Sequence, residues 1–126
     1  MVLFSAVTVV SIFSVPAQAA SWSSSLSGVL PGFESRRWTE PSSSTGTTIK
    51  FTGCSGSNSV VNVTLVKNVV ALPDTYYTRA AFTQCFAGSS STSTGNWADH
   101  GAGDFYFVVN DGGGASVSVK SLTVSY

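Results

Sequence analysis

Charge is the scarcest property of this sequence. Six basic and six acidic side chains in 126 residues cancel to a formal net charge of zero. A neutral, charge-poor chain offers no electrostatic footprint for nucleic acid and none for an anionic membrane. Histidine occurs once, at His100, and cysteine twice, at Cys54 and Cys85. Two cysteines and one histidine do not suit a structural zinc site, and their spacing is not that of a CxxC redox pair. No stretch after the N-terminal run approaches the roughly 20 apolar residues that a spanning helix needs. No window carries a convincing helical period. The sequence also lacks a G-x-S-x-G elbow and the carboxylate spacing of an EF-hand, and it implies no cofactor. Its polarity comes mainly from Ser, Thr, Asn and Gly.

The chain opens on an uncharged apolar run over residues 1–15, stopped by Pro16 and followed by Ala17-Gln18-Ala19. An apolar segment closed by small residues at A-x-A spacing is the pattern of a secretory signal peptide, here without its positive n-region. The expectation is a signal peptide over residues 1–19, cleavage after Ala19, and a secreted, extracellular mature chain with no membrane segment. Residues 20–126 suffice for a single domain with one core. In an oxidising compartment Cys54 and Cys85 are expected to pair as a disulfide. Closing a loop of this length stabilises by about 3.7 kcal/mol in the chain-entropy model.

Period-two patterns dominate the rest. Residues 21–31 are Ser-rich and broken by Gly28 and Pro31, so they read as an irregular leader anchored by Trp22. Residues 33–39 read as a first strand and residues 40–48 as a loop. Residues 48–52 alternate, with Ile49 and Phe51 on one face, before a turn over 53–58. Residues 59–70 form the longest strand pattern, with Val61, Val63, Leu65 and Val69 sharing a face. Leu72-Pro73-Asp74-Thr75 reads as a turn. Residues 76–86 alternate again, and the Ser/Thr run 88–95 reads as a loop. The chain ends on an expected hairpin: strands over 104–110 and 116–126, joined by a turn at Asp111-Gly112-Gly113-Gly114.

Two breaks of phase stand out. Cys54 is out of step with Ile49 and Phe51, and Cys85 with Phe82 and Phe86. The bridge is therefore expected on the opposite face from those apolar sets, or at a strand end where Gly53 inserts a bulge. In the last strand Val117 and Val119 are odd, whereas Leu122 and Val124 are even. That slip predicts a bulge or bend near Lys120-Ser121, of the kind that lets one strand serve two sheets. Short strands with turn signals between them predict an all-β antiparallel β-sandwich, jelly-roll-like or Ig-like, with a small β-barrel as the alternative.

Chemistry-bearing residues are few. His100, with Asp99 or Asp104 to orient it and a serine as nucleophile, is the one acid-base arrangement available around residues 97–104, but adjacent Asp and His side chains diverge in a strand. Asp99 and Asp104 are the calcium candidates, as hard oxygen ligands on loops. The aromatic residues Trp22, Trp38, Trp97, Tyr77 and Tyr106 fall outside the best apolar sets. If they shared an exposed face they would stack on sugar rings or anchor a protein partner. Trp38, Tyr77, Trp97, His100 and Tyr106 are accordingly the candidate ligand-binding residues.

Four segments carry a resemblance: Gly32-Phe33-Glu34-Ser35-Arg36-Arg37-Trp38-Thr39, Phe51-Thr52-Gly53-Cys54, Thr83-Gln84-Cys85, and the terminal Val119-Lys120-Ser121-Leu122-Thr123-Val124-Ser125-Tyr126. In these the chain resembles small secreted single-domain β-sandwich proteins of filamentous Gram-positive bacteria, a group largely without assigned activities. The resemblance covers most of the mature chain and brings no catalytic residues with it. The terminal segment is also similar to the last strand of jelly-roll carbohydrate-binding modules, a likeness of fold that assigns no sugar. The expected function is a secreted, non-catalytic β-sandwich that binds an extracellular glycan or protein, its oligomeric state open. The alternatives are a disulfide-braced inhibitor of an extracellular protease and a structural surface protein.

Overall fold

The computed structural model describes residues 20–110 and 116–126. The leader over residues 1–19 and the glycine turn at 111–114 lie outside the described residues. Among the described residues nine strands run β1 Ser21–Val29, β2 Phe33–Glu34, β3 Trp38–Glu40, β4 Gly46–Gly56, β5 Val61–Asn68, β6 Thr75–Phe82, β7 Thr92–Ala98, β8 Gly103–Val109 and β9 Val117–Ser125. One sheet has the order β1-β9-β4-β7; the other has β2-β8-β5-β6, with β3 also pairing β8. Every pairing is antiparallel. No ladder among the described residues joins the two sheets, so the fold is a β-sandwich rather than a closed barrel.

The alternation read from the sequence places the core. Ile49, Phe51, Leu122 and Val124 face inward from the first sheet, and Val61, Val63, Leu65, Phe105, Phe107 and Val109 from the second, all buried. Phe51 meets Phe82 edge-on at 5.0 Å and Phe107 at 5.6 Å, an arrangement favoured by the ring quadrupoles. Trp22 does anchor its segment, lying 5.7 Å from Trp38 and stacked on Phe107 at 6.3 Å.

The expected terminal hairpin is not a paired hairpin. β8 and β9 belong to different sheets and face each other across the core. Both carry a strong inward apolar set, and two such sets bury one another best from opposite layers. The only ladder between consecutive described strands is β5–β6.

Elsewhere tertiary pairing overrides composition. Residues 21–31 supply the nine-residue edge strand β1, paired to β9. The expected strand 33–39 is two short pieces on β8, separated at residues 35–37. The turn expected over 53–58 begins later, because β4 continues to Gly56. The loop expected at 88–95 already contains β7, whose inward positions are Ser93, Gly95 and Trp97. The strand expected over 76–86 ends at Phe82 and passes into a 3₁₀ turn, Gln84–Phe86. Within β6, Tyr77 and Thr78 together oppose Leu65, a bulge that leaves Tyr76 exposed and Tyr77 packed on the core.

The two phase breaks are one event. Thr52 pairs Ser121 and Cys54 pairs Val119, which sets Gly53 opposite Lys120. Gly53 has φ +70°, a left-handed conformation that glycine adopts without strain. There β4 changes its buried positions from Ile49 and Phe51 to Cys54, while β9 changes from Val124 and Leu122 to Val119 and Val117. Against β1, the pairs Ser24–Leu122 and Leu26–Val119 leave Ser25 facing both Lys120 and Ser121. The bulge is where the slip predicts it, but β9 stays in one sheet throughout. The Cys54–Cys85 disulfide forms at this level. Both cysteines are buried in the core rather than placed on an opposite face, because Gly53 turns Cys54 inward and Cys85 comes from the 3₁₀ turn.

Candidate functional site

The predicted binding aromatics do not form an open platform. Trp38, Trp97 and Tyr106 are buried. Trp38 Nε1 donates to Glu40 Oε2 at 2.8 Å, and Trp97 Nε1 donates to the Thr78 carbonyl at 2.7 Å. The Trp97 ring lies over Gly95, where an added Cβ would come within 2.9 Å of it. Tyr106 sits on the outer face of the second sheet, between the inward Phe105 and Phe107. It is covered by the Arg37 guanidinium, 3.9 Å from the ring centre. Tyr77 and His100 are half-buried and stacked on each other, 3.6 Å apart and 11° from parallel. Only this pair, of the five, keeps partial exposure.

The acid-base and calcium candidates are likewise dispersed. Asp99 Oδ1 accepts from the Gly101 amide at 2.9 Å, and Asp104 Oδ1 accepts from Thr39 Oγ1 at 2.7 Å. Among the described residues no group of three His, Cys, Asp or Glu side chains converges on a metal position. The Lys67 ammonium donates to the His100 carbonyl at 2.8 Å, tying the β7–β8 connection to β5.

A concavity lies at the other end of the sandwich, where Gly53 and Lys120 reset the strands. It is an open cleft of about 460 Å³, within the range of ligand sites. Leu26, Phe86, Val119 and the Cys54 half of the disulfide give it apolar surface. Ser55, Ser89 and Ser118 bring hydroxyls, and Lys120 brings its one charged group. Each part traces to a local cause. The bulge places Leu26 beside Val119, the 3₁₀ turn delivers Phe86, and the disulfide ties that turn to β4. The Ser91 carbonyl accepts from the Gly53 amide at 3.0 Å, holding the following loop against the sheet. Ser118 Oγ accepts from the Gly28 amide at 2.9 Å, which fixes the β1 side. A smaller cavity of about 120 Å³ opens between β1 and β2, lined in part by Trp22, Ser35 and Arg36.

Sequence reasoning held the signal for the cleft, two phase slips that the fold sets side by side, without showing that they meet. It missed two other features. Glu40 is a buried carboxyl, accepting from Trp38 Nε1, from Thr47 Oγ1 at 2.6 Å and from Ser44 Oγ at 3.3 Å. The second is the β5–β6 tip. Asp74 Oδ1 accepts there from the Val69 amide at 3.2 Å, and Asp74 Oδ2 accepts from the Tyr106 hydroxyl at 2.5 Å. These bonds, with Arg37 nearby, hold the Asp74 carboxyl below its ordinary value. Burial first, then the bond to Asp74, pushes the Tyr106 phenol well above its own.

No protein-family model, curated protein or solved structure matches the chain.

Proposed function

We propose that this chain is a secreted, non-catalytic binding protein that takes an extracellular protein partner in the cleft beside Gly53 and Lys120. The carrying observation is the cleft itself, lined by Leu26, Cys54, Phe86 and Val119 together with Ser55, Ser89 and Ser118, with Lys120 as its one charged residue. Such a lining suits a protruding aliphatic side chain flanked by backbone amides and carbonyls. A sugar ligand has less support, because Trp38, Trp97 and Tyr106 offer no open ring faces. Secretion is supported by the apolar leader with its A-x-A ending and by the disulfide, which suits an oxidising compartment. The absence of catalysis is supported by the placement of His100, stacked on Tyr77, with Asp99 and Asp104 engaged elsewhere. The loop that the disulfide braces closes in two successive turns, Ala87 N to Gln84 O and Ser91 N to Gly88 O. It is not the extended segment that a protease inhibitor presents.

The test is retention of the protein on a panel of purified secreted proteins, a glycan array and cell-wall preparations, beside a Ser55→Trp variant that fills the cleft. Retention by a protein target, lost in the variant, is expected. No retention anywhere, or retention equal in the variant, contradicts the assignment; loss confined to the glycan array would keep the cleft and change the ligand.

A further inference from the structure

We propose that the apolar β5–β6 tip of one copy seats in the Gly53–Lys120 cleft of a second copy, so that the chain associates head to tail. The inference rests on the cleft being a binding surface, and it names an occupant.

Only four large apolar side chains are well exposed among the described residues: Leu30 at 63%, Val70 at 86%, Leu72 at 68% and Tyr76 at 60%. Three of the four lie on the β5–β6 tip and the first turn of β6. Clustered exposed apolar side chains mark interaction sites far more than scattered ones do. The tip is also held in shape. Asp74 ties its base to the Val69 amide and to Tyr106. Ala71 has φ +64°, the one positive φ at a non-glycine position among the described residues. An alanine there carries strain that glycine would relieve, and such strain gathers at functional loops. The result is a pre-shaped convex knob, which loses little freedom on docking.

The cleft is its complement in shape and chemistry. It is concave, its lining includes Leu26, Phe86 and Val119, and its one charged lining group is Lys120. The one charged group in segment 69–74 is Asp74. Knob and cleft lie at opposite ends of the sandwich. The tip follows Asn68, which pairs Asp104 near the start of β8. The cleft adjoins Ser55–Ser118 and Gly56–Val117, at the end where β4 leaves for β5. Docked end to end, the contact is heterologous and leaves a free knob and a free cleft on each assembly until a ring closes. The contact is small and therefore weak, and it shows at high protein concentration.

The experiment uses the full-length chain expressed in a secreting host and recovered from the medium. Sedimentation velocity is run from about 10 µM to about 1 mM, the range in which small interfaces associate. The wild type should show a mean mass that at least doubles and does not plateau at the dimer. Leu72→Asp, which spoils the knob, and Ser55→Trp, which fills the cleft, should each remain monomeric. Their equimolar mixture should pair, because one variant keeps the cleft and the other the knob, and growth should stop at the heterodimer. Val70→Asp and Ser89→Trp repeat the design should either first variant fail to fold. A wild type monomeric throughout, association that survives Leu72→Asp, or a mixture that does not pair would overturn the inference. A monomeric wild type that co-sediments with phosphatidylcholine vesicles would reassign the tip to a lipid surface and equally overturn it. A monomeric wild type whose panel binding is lost in Ser55→Trp would sink the self-association while sparing the binding assignment.

Discussion

Glu40 shows how a single side chain organises a sheet end. Its carboxyl gathers Trp38, Ser44 and Thr47, which sit on β3, the following loop and β4. Removing it strands the Trp38 and Thr47 donors in a buried site, while Ser44 keeps the Gly46 carbonyl at 3.2 Å, so Glu40→Ala should cost about 3 kcal/mol and Glu40→Gln less. A shift of the urea midpoint at unchanged m measures this; an unshifted midpoint contradicts it. The sequence hid Glu40 because a lone acid before Pro41 in a Ser/Thr run has the composition of a loop. The tip pair titrates in both directions. Asp74 is held below its ordinary value, so its contribution is present above about pH 4 and is lost as pH falls through the lowered value. Tyr106 is raised, so its contribution holds below about pH 10 and is lost as pH climbs towards the raised value. Tyr106→Phe should flatten both limbs of a stability-against-pH profile, whereas limbs as steep as those of the wild type would show that the bond carries no linkage.

At the scale of the element, the coupled reset at Gly53 and Lys120 makes the cleft. A Cβ on Gly53 would stand 2.8 Å from the Ser89 carbonyl oxygen and 2.9 Å from Lys120 Cβ, at a φ that alanine tolerates poorly. Gly53→Ala should therefore cost at least about 2 kcal/mol. Gly88→Ala, which meets only the Ser91 hydroxyl at 3.4 Å, should stay within about 0.5 kcal/mol. Equal costs would mean that the reset is not rigid. Strands with strong inward sets, β4, β5, β8 and β9, were legible from alternation alone. β1 and β7 were not. Their inward positions include Ser93 and Gly95, residues whose side chains announce nothing until a partner strand supplies the ladder and Trp97 fills the space over Gly95. The β8–β9 pairing was misread because a turn signal fixes a reversal of the chain, not the sheet to which it returns.

For the molecule as a whole, the disulfide ties the 3₁₀ turn to the sheet and holds one wall of the cleft. Cys54→Ala with Cys85→Ala reopens a loop spanning 31 residues, and the loss should be about 3.7 kcal/mol in the chain-entropy model. Equilibrium denaturation reads it, and an unchanged stability would mean that the bridge constrains nothing. Of the candidate site, the sequence showed the bulge and the paired cysteines but not their convergence, since no local pattern records that Gly53 and Lys120 are opposite. Whether the cleft receives the β5–β6 tip of a second copy is tested most directly by the ¹⁵N–¹H spectrum of the wild type as its concentration is raised. The amides of Val70, Ala71 and Leu72 should move together with those of Gly53, Ser55, Ser89 and Lys120, on one binding curve. Resonances that stay fixed, or movement confined to surfaces such as the β1 edge, would contradict it.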